Sequence, residues 1–300
     1  MSASSQNLFP VVNCLAIRGV GLIGGSVALA ARKQGVARKI IGIGTHAGRL
    51  QRAVDLGVID EFTTDPEEGA SQADVIVVAT PVDCIAHDVI RMHRTLPETG
   101  WMTDAGSVKE QIVRQIGQEL GEGHRFIGAH PLAGSEKTGF ENARPDLYVG
   151  AMVVLTPDPE TESRFTQSAQ HFWQALGAKV VSMSASEHDQ ILARTSHLPH
   201  LVSAAMAAQI RPSDFPFAST GFGDTTRIAA GDPDLWTAIF RLNREATLAS
   251  GQQFLQSVQD FLDAVKQDDQ ATLKELLKNS KQLRDGWSES RNGSIGSVGE

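Results

Sequence analysis

The 300-residue sequence is poor in cysteine, with Cys14 and Cys84 alone. Two thiols cannot staple a fold of this size, so the chain must be held by an apolar core. Both thiols, set in apolar segments, are expected as reduced core residues. No run of about 18 consecutive apolar residues occurs, which leaves no candidate for a membrane-spanning helix. The opening MSASSQNLFP has neither a basic cluster nor an apolar stretch, so no secretory leader is expected and the reading is cytoplasmic. Basic side chains are also in deficit, 27 against 35 acidic, for a net charge of −8. That balance argues against nucleic acid or an anionic membrane as partner, whereas a small anion answers to local charge only.

What is present is a soluble composition, 41% hydrophobic and 21% charged, in a chain long enough for two domains. From residue 11 short apolar runs alternate with longer amphipathic ones. VVNCLAI (11–17), KIIGI (39–43), DVIVVAT (74–80), WMTDAG (101–106), FIGAH (126–130), AMVVLT (151–156) and KVVSM (179–183) read as strands, with helices between them. This alternation is the pattern of an α/β fold, a doubly wound parallel sheet covered on both faces. After about residue 184 the pattern turns helical, with a loop over 211–224 and long helices near 234–265 and 268–286. The expected organisation is a sheet domain over 10–183, an all-helical domain over 184–287 and a disordered tail over 288–300.

The first strand–helix junction reads IRGVGLIGGS, with Gly19, Gly21 and Gly24 in the G-x-G-x-x-G arrangement. The first glycine permits the tight turn, the second lets the backbone approach a pyrophosphate, and the third allows close packing of helix on strand. Leu22, Ile23 and Gly24 open the helix whose N-terminus supplies N–H donors. Because the motif follows a strand and starts a βαβ unit, it reads as a dinucleotide site. NAD sites usually carry an Asp or Glu about 20 residues on. Here that place reads IGIGTHAGRL, without a carboxylate, and Thr45, His46 and Arg49 are types that hold a 2′-phosphate. The cofactor is therefore read as NADP or NAD, with NADP favoured.

Ligands of such sheets lie at the carboxyl ends of the strands. Three ends are chemically suggestive: Thr80-Pro81, DAGSVK (104–109) with Ser107, and AHPLAGSEKTG (129–139) with His130. Ser107 reads either as a helix N-cap or as a group that shares a hydrogen bond with substrate. His130 reads either as a turn residue or as a base at the mouth of the sheet. In the helical half, SHLPH places His197 and His200 three apart on one face, and Arg227 has Asp224 three residues before it. That arginine reads either as a surface ion pair or as a guanidinium for a substrate carboxylate. The histidines lie near Glu187 and His188, but no second compact ligand pair accompanies them, and no metal is expected.

Together the ordered stretches GVGLIGGS, ATPVD, DAGSVK, GAHPLAGSEKTG, SHLPH and DTTRIAAGDPDLW resemble the prephenate/arogenate dehydrogenase family of tyrosine biosynthesis, over roughly residues 11–287. The resemblance implies an N-terminal Rossmann domain, a C-terminal helical domain that forms a homodimer, and prephenate or arogenate as substrate. It implies His130 as catalytic base with Ser107 beside it, and Arg227 on a substrate carboxylate. Ser135 and Glu136 fall near the pocket entrance, and Ser196, His197, His200 and Trp236 on the substrate side. The missing carboxylate after the second strand departs from the family's pattern. Two rivals stand beside this reading. One is a two-domain dehydrogenase of the β-hydroxyacid type, which would need a lysine base on the first long helix of its second domain. The other is a dinucleotide-binding sensor without catalysis.

Overall fold

The computed structural model describes residues 10–134 and 137–293. Eight strands are formed: β1 (Val12–Arg18), β2 (Ala37–Ile43), β3 (Glu61–Thr63), β4 (Val75–Val78), β5 (Trp101–Asp104), β6 (Phe126–Pro131), β7 (Met152–Thr156) and β8 (Lys179–Ser182). They make one sheet in the order β3-β2-β1-β4-β5-β6-β7-β8. Pairing is parallel from β3 through β6. It then departs from the all-parallel expectation, because β7 runs antiparallel to β6 and β8 parallel to β7. Among the described residues the connection from β6 to β7 holds a 3₁₀ turn, Phe140–Asn142, and no α-helix, so no helical parallel crossover is built there.

Alternate strand residues enter two separate cores. Leu15, Ile17, Val75 and Val77 face one layer, with Val27 and Ala28 of α1 (Leu22–Lys33) and Phe172 and Trp173 of α6 (Ser163–Ala175). Cys14, Ala16, Ile76 and Val78 face the other, with Ile85 and Val89 of α4 (Val82–His93) and Ile112 and Ile116 of α5 (Glu110–Leu120). Burial on both faces explains why the strands read as unbroken apolar runs rather than alternating ones. Strand order reverses between β1 and β4, which opens a crevice at their carboxyl ends.

Two short elements escape the apolar pattern: β3, and α3 (Pro66–Ser71), whose N-cap Asp65 accepts from the Glu67 N–H. The remaining helix of the sheet region, α2 (Ala47–Asp55), follows β2. Beyond β8 come α7 (Ala185–Leu192), a π-helical turn Ala193–His197 and α8 (Leu198–Ala207). Pro199 lacks an N–H, so the regular ladder cannot pass through it and the widened turn precedes it. The expected loop over 211–224 is instead folded: a 3₁₀ segment Pro212–Phe217 and α9 (Thr220–Thr226), followed by a 3₁₀ turn Arg227–Ala230. The expected helix over 234–265 breaks at Asn243, between α10 (Pro233–Leu242) and α11 (Arg244–Lys266). The last helix, α12 (Gln270–Gly293), runs six residues into the stretch expected as a tail.

By compactness the chain divides into two units between Thr247 and Leu248. Hydrogen bonds tie the helices after β8 to the sheet, since Asp189 of α7 accepts from the Lys109 and Glu110 N–H groups at the start of α5. Helices α7 to α10 thus belong to the same unit as the sheet. In the second unit Leu248, Leu255 and Leu262 recur every seven residues on α11 and are exposed. So are Leu277, Leu283 and Trp287 on α12.

Candidate active site

The glycine turn has the geometry its spacing demands. Gly19 adopts φ +96°, and a Cβ there would lie 2.7 Å from the Ala79 carbonyl oxygen. A Cβ on Gly24 would lie 2.8 Å from the Ile17 side chain, so this position fixes the approach of α1 to β1. At Gly21 nothing stands within 4 Å of the Cβ position, and no side chain caps the helix that begins there. An open backbone edge before an uncapped helix N-terminus fits a pyrophosphate. The first turn, from Leu22 to Gly24, follows directly, and the Ile23 carbonyl accepts from the buried Tyr148 hydroxyl at 2.8 Å.

A cleft of about 360 Å³ opens from this turn, lined among others by Gly19, Gly21, Thr45, His46, Arg49, Thr80 and Pro81. The structure thereby brings together every cofactor residue expected outside the helix. Thr45, His46 and Arg49 are exposed, no acidic residue occupies the first turn of α2, and the Arg49 guanidinium lies 5.9 Å from the Phe140 ring centroid. Arg18, Asp88 and Cys84 are among the lining residues that were not foreseen. Arg18 pairs with Asp88 at 2.9 Å, and Asp88 also accepts from the Thr80 hydroxyl at 2.9 Å. Cys84 lines the same cleft and is exposed, against its expected place in the core. It lies on the outward face of α4, beside Asp83, where the apolar character of the surrounding segment belongs to the opposite face.

His130 is at the carboxyl end of β6, 9% exposed, and its Nδ1 lies 2.9 Å from Nε2 of His188. The other nitrogen of His188, Nδ1, lies 2.7 Å from Oδ1 of Asp189. Asp189 also accepts from the Lys109 N–H at 2.8 Å and the Glu110 N–H at 2.9 Å. The backbone before the histidine is fixed as well, because the Ala129 N–H donates to Asp104 at 2.8 Å. Asp104 forms a wholly buried ion pair with Lys109. Burial first, then its neighbours His188, Lys109 and His197, which disfavour a positive charge on the ring, hold His130 well below the ordinary histidine pKa and therefore neutral. A neutral, buried, oriented imidazole at a strand end is a competent proton acceptor.

Ser107 is half-buried in the loop between β5 and α5, three residues ahead of the helix. It does not cap α5; Asp189 takes that role from 79 residues further along the chain. Ser196 and His197 lie in the π-helical turn, and His200 stacks on Trp236 with ring centroids 3.5 Å apart. Asn243 donates through Nδ2 to the Asp189 carbonyl at 2.8 Å and to His197 Nδ1 at 3.0 Å. The hydrogen on His197 is then on Nε2, which is buried and has no partner among the described residues. Burial lowers the His197 pKa to about 4, so it too is neutral. Arg227 begins the 3₁₀ turn that packs on α8; it is exposed, and among the described residues it forms no ion pair with Asp224. Ser135 and Glu136 lie outside the described residues. No cluster of three metal-ligating side chains occurs among the described residues.

Residues 27–182 match the family model described as prephenate dehydrogenase, nucleotide-binding domain, and residues 184–279 the one described as prephenate dehydrogenase, dimerization domain. A prephenate dehydrogenase of Bacillus subtilis is 33% identical over 93% of this chain and 77% of its own length. A cyclohexadienyl dehydrogenase of Zymomonas mobilis is 29% identical over 90% of this chain and 94% of its own. The crystal structure of A. aeolicus prephenate dehydrogenase with hydroxyphenyl propionate and NAD+ superposes with a TM-score of 0.86 at 33% identity, covering 92% of this chain and 99% of that one. Synechocystis arogenate dehydrogenase superposes with a TM-score of 0.79 at 30% identity, covering 91% and 99%.

Proposed function

Since the chain belongs to the prephenate dehydrogenase family, we propose that it catalyses the NAD(P)-dependent oxidative decarboxylation of prephenate or arogenate, giving 4-hydroxyphenylpyruvate or tyrosine and CO2. The observation that carries this reading is His130, neutral and buried at the same edge of the sheet as the glycine turn. The residues at that turn fit a dinucleotide, which when bound supplies the hydride acceptor. Gly19, Gly21 and the first turn of α1 hold its pyrophosphate; Thr45, His46 and Arg49 hold its adenosine end.

The chain's own residues handle the proton and the substrate. His130 accepts the proton of the ring C4 hydroxyl as C4 loses hydride, and Ser107 orients that hydroxyl. Scission of the C1–carboxylate bond sends its electron pair through the ring to the C4 oxygen, which takes the proton back from His130 as the ring becomes a phenol, and aromatisation drives the reaction. His197 offers its unpartnered Nε2–H as a donor to a substrate oxygen. His200 and Trp236 form a flat wall for the ring, and Arg227 grips a carboxylate through its forked donors. Ser196, in the π-helical turn beside His197, completes the substrate side.

The NADP preference rests on three side chains that line the cleft after β2, Thr45, His46 and Arg49, with no carboxylate among them. A homodimer is supported by the match of residues 184–279 to a dimerization domain and by the exposed seven-residue leucine repeat of α11. A small-molecule enzyme with a net charge of −8 needs no nucleic acid partner, and no described helix is long and apolar enough to cross a membrane. The β-hydroxyacid alternative would need a lysine base, yet no lysine occurs between Lys179 and Lys266. Steady-state assays with prephenate and arogenate, each against NAD and NADP, test the reading. Turnover of neither substrate with either cofactor refutes it.

A further inference from the structure

We infer that His188 and Asp189 fix the tautomer of His130, so that Nε2 of His130 is the atom that receives the substrate's proton. The inference deepens the proposed reaction and rests on His130 being its base.

The argument starts from Asp189, whose two carboxylate oxygens each accept a backbone N–H at the start of α5, from Lys109 and Glu110. Amide N–H groups can only donate, so both oxygens are committed as acceptors. The third contact, His188 Nδ1 at 2.7 Å from Oδ1, is then an N–H donated by the ring. A neutral imidazole carries one hydrogen, so His188 Nε2 is left as a lone pair. Facing it at 2.9 Å is His130 Nδ1, which must supply the hydrogen for that bond. The lone pair of His130 therefore resides on Nε2.

The opposite arrangement is disfavoured at two places. With hydrogen on His130 Nε2 and a single hydrogen on His188, either two lone pairs confront each other across 2.9 Å, or His188 turns its own lone pair toward the Asp189 carboxylate. Both leave buried polar atoms unpaired, which costs about 1–3 kcal/mol each. The frame is rigid, since all three side chains are buried and Asp104 holds the Ala129 N–H next to His130. The groups facing His130 are His188 and His197 from the helices and Lys109, paired with Asp104, from the β5–α5 connection. His188 and Asp189 are positioning residues: they act through His130.

The test uses the full-length enzyme labelled with 15N-histidine. The His130 ring signals are identified by their loss in His130→Asn. The expected wild-type result at pH 7.5 is a protonated Nδ1 and an unprotonated Nε2. His188→Leu is expected to mix the two tautomers and to lower kcat by about 10–100-fold, the usual effect of removing a partner that orients a histidine. KM and cofactor affinity should be unchanged. His188→Gln, whose amide oxygen reaches the same place as Nε2, should recover most of the lost kcat. A wild-type His130 protonated on Nε2 overturns the inference without recourse to any variant, as does wild-type kcat in a folded His188→Leu enzyme. Failure of the reaction assignment itself looks different: near-normal kcat in His130→Asn.

Discussion

Asn243 Nδ2 lies 3.0 Å from His197 Nδ1 and donates at the same time to the Asp189 carbonyl, which leaves the His197 Nε2–H buried with no acceptor among the described residues. A buried donor without an acceptor costs free energy in the empty site and returns it when a ligand oxygen arrives. Replacing His197 by Phe should therefore raise the substrate KM by roughly 10-fold or more, the worth of one hydrogen bond to a charged group, with a smaller change in kcat. Steady-state kinetics at saturating cofactor decide the point. An unchanged KM shows that His197 is only a core residue.

The buried histidines make stability depend on pH with a definite sign. His130 and His197 have lowered pKa values in the folded chain, His197 about 4, both chiefly through burial. The unfolded chain binds protons near the ordinary value of about 6.5, so it gains protons that the folded chain refuses. Stability is thus complete above pH 6.5 and is lost as pH falls from there towards 4. The His197 shift alone corresponds to roughly 3 kcal/mol. Urea midpoints at pH 7.5 and pH 5 should differ in that direction, and the difference should shrink in His197→Phe. The acid limb of kcat/KM should likewise fall below the ordinary histidine value.

Gly44 is the first residue after β2 and lines the dinucleotide cleft. A Cβ there meets only the end of the Leu50 side chain at 3.3 Å, which can shift by a few tenths of an ångström. Gly44→Asp places a carboxylate at the strand end, where it accepts from ribose hydroxyls and repels a 2′-phosphate. The variant should favour NAD, and Arg49→Ala should raise KM for NADP about 10-fold while hardly affecting NAD. Equal losses with both cofactors would remove these residues from phosphate recognition.

The glycines of the turn should separate by substitution. Gly19→Ala forces a side chain into φ +96° and onto the Ala79 backbone, so it should unfold or distort the turn. Beyond its chain neighbours, Gly21→Ala meets no described residue within 4 Å and keeps an ordinary backbone angle. It should melt like the wild type and yet bind cofactor weakly, because its methyl group occupies the place of the pyrophosphate. Calorimetry and a cofactor titration distinguish the two.

The sheet was legible because its strands are buried on both faces and announce themselves as apolar runs, and the glycine turn because each glycine answers a separate steric demand. Other features leave no local trace. β3 is three residues long and partly exposed, too short for a period to register. The antiparallel direction of β7 goes with a connection from β6 in which no α-helix forms among the described residues, not with any residue in β7. His188 and Asp189 sit in ASEHDQIL, which reads as a polar helix start, and their burial comes from the β5–α5 connection far upstream in sequence. Asn243 reads as an ordinary helix residue until the chain is seen to break there. The one available signal was compositional: a histidine next to an aspartate, His188 and Asp189, shortly before SHLPH in a chain with 9 histidines.

The measurement that bears most directly on the account is single-turnover and steady-state rate in His130→Asn, with cofactor affinity determined on the same preparation. The account predicts unchanged cofactor binding and melting temperature with kcat reduced by about 10²–10⁴-fold, the usual loss on removing a positioned base. A folded His130→Asn enzyme that turns over at close to the wild-type rate would contradict it.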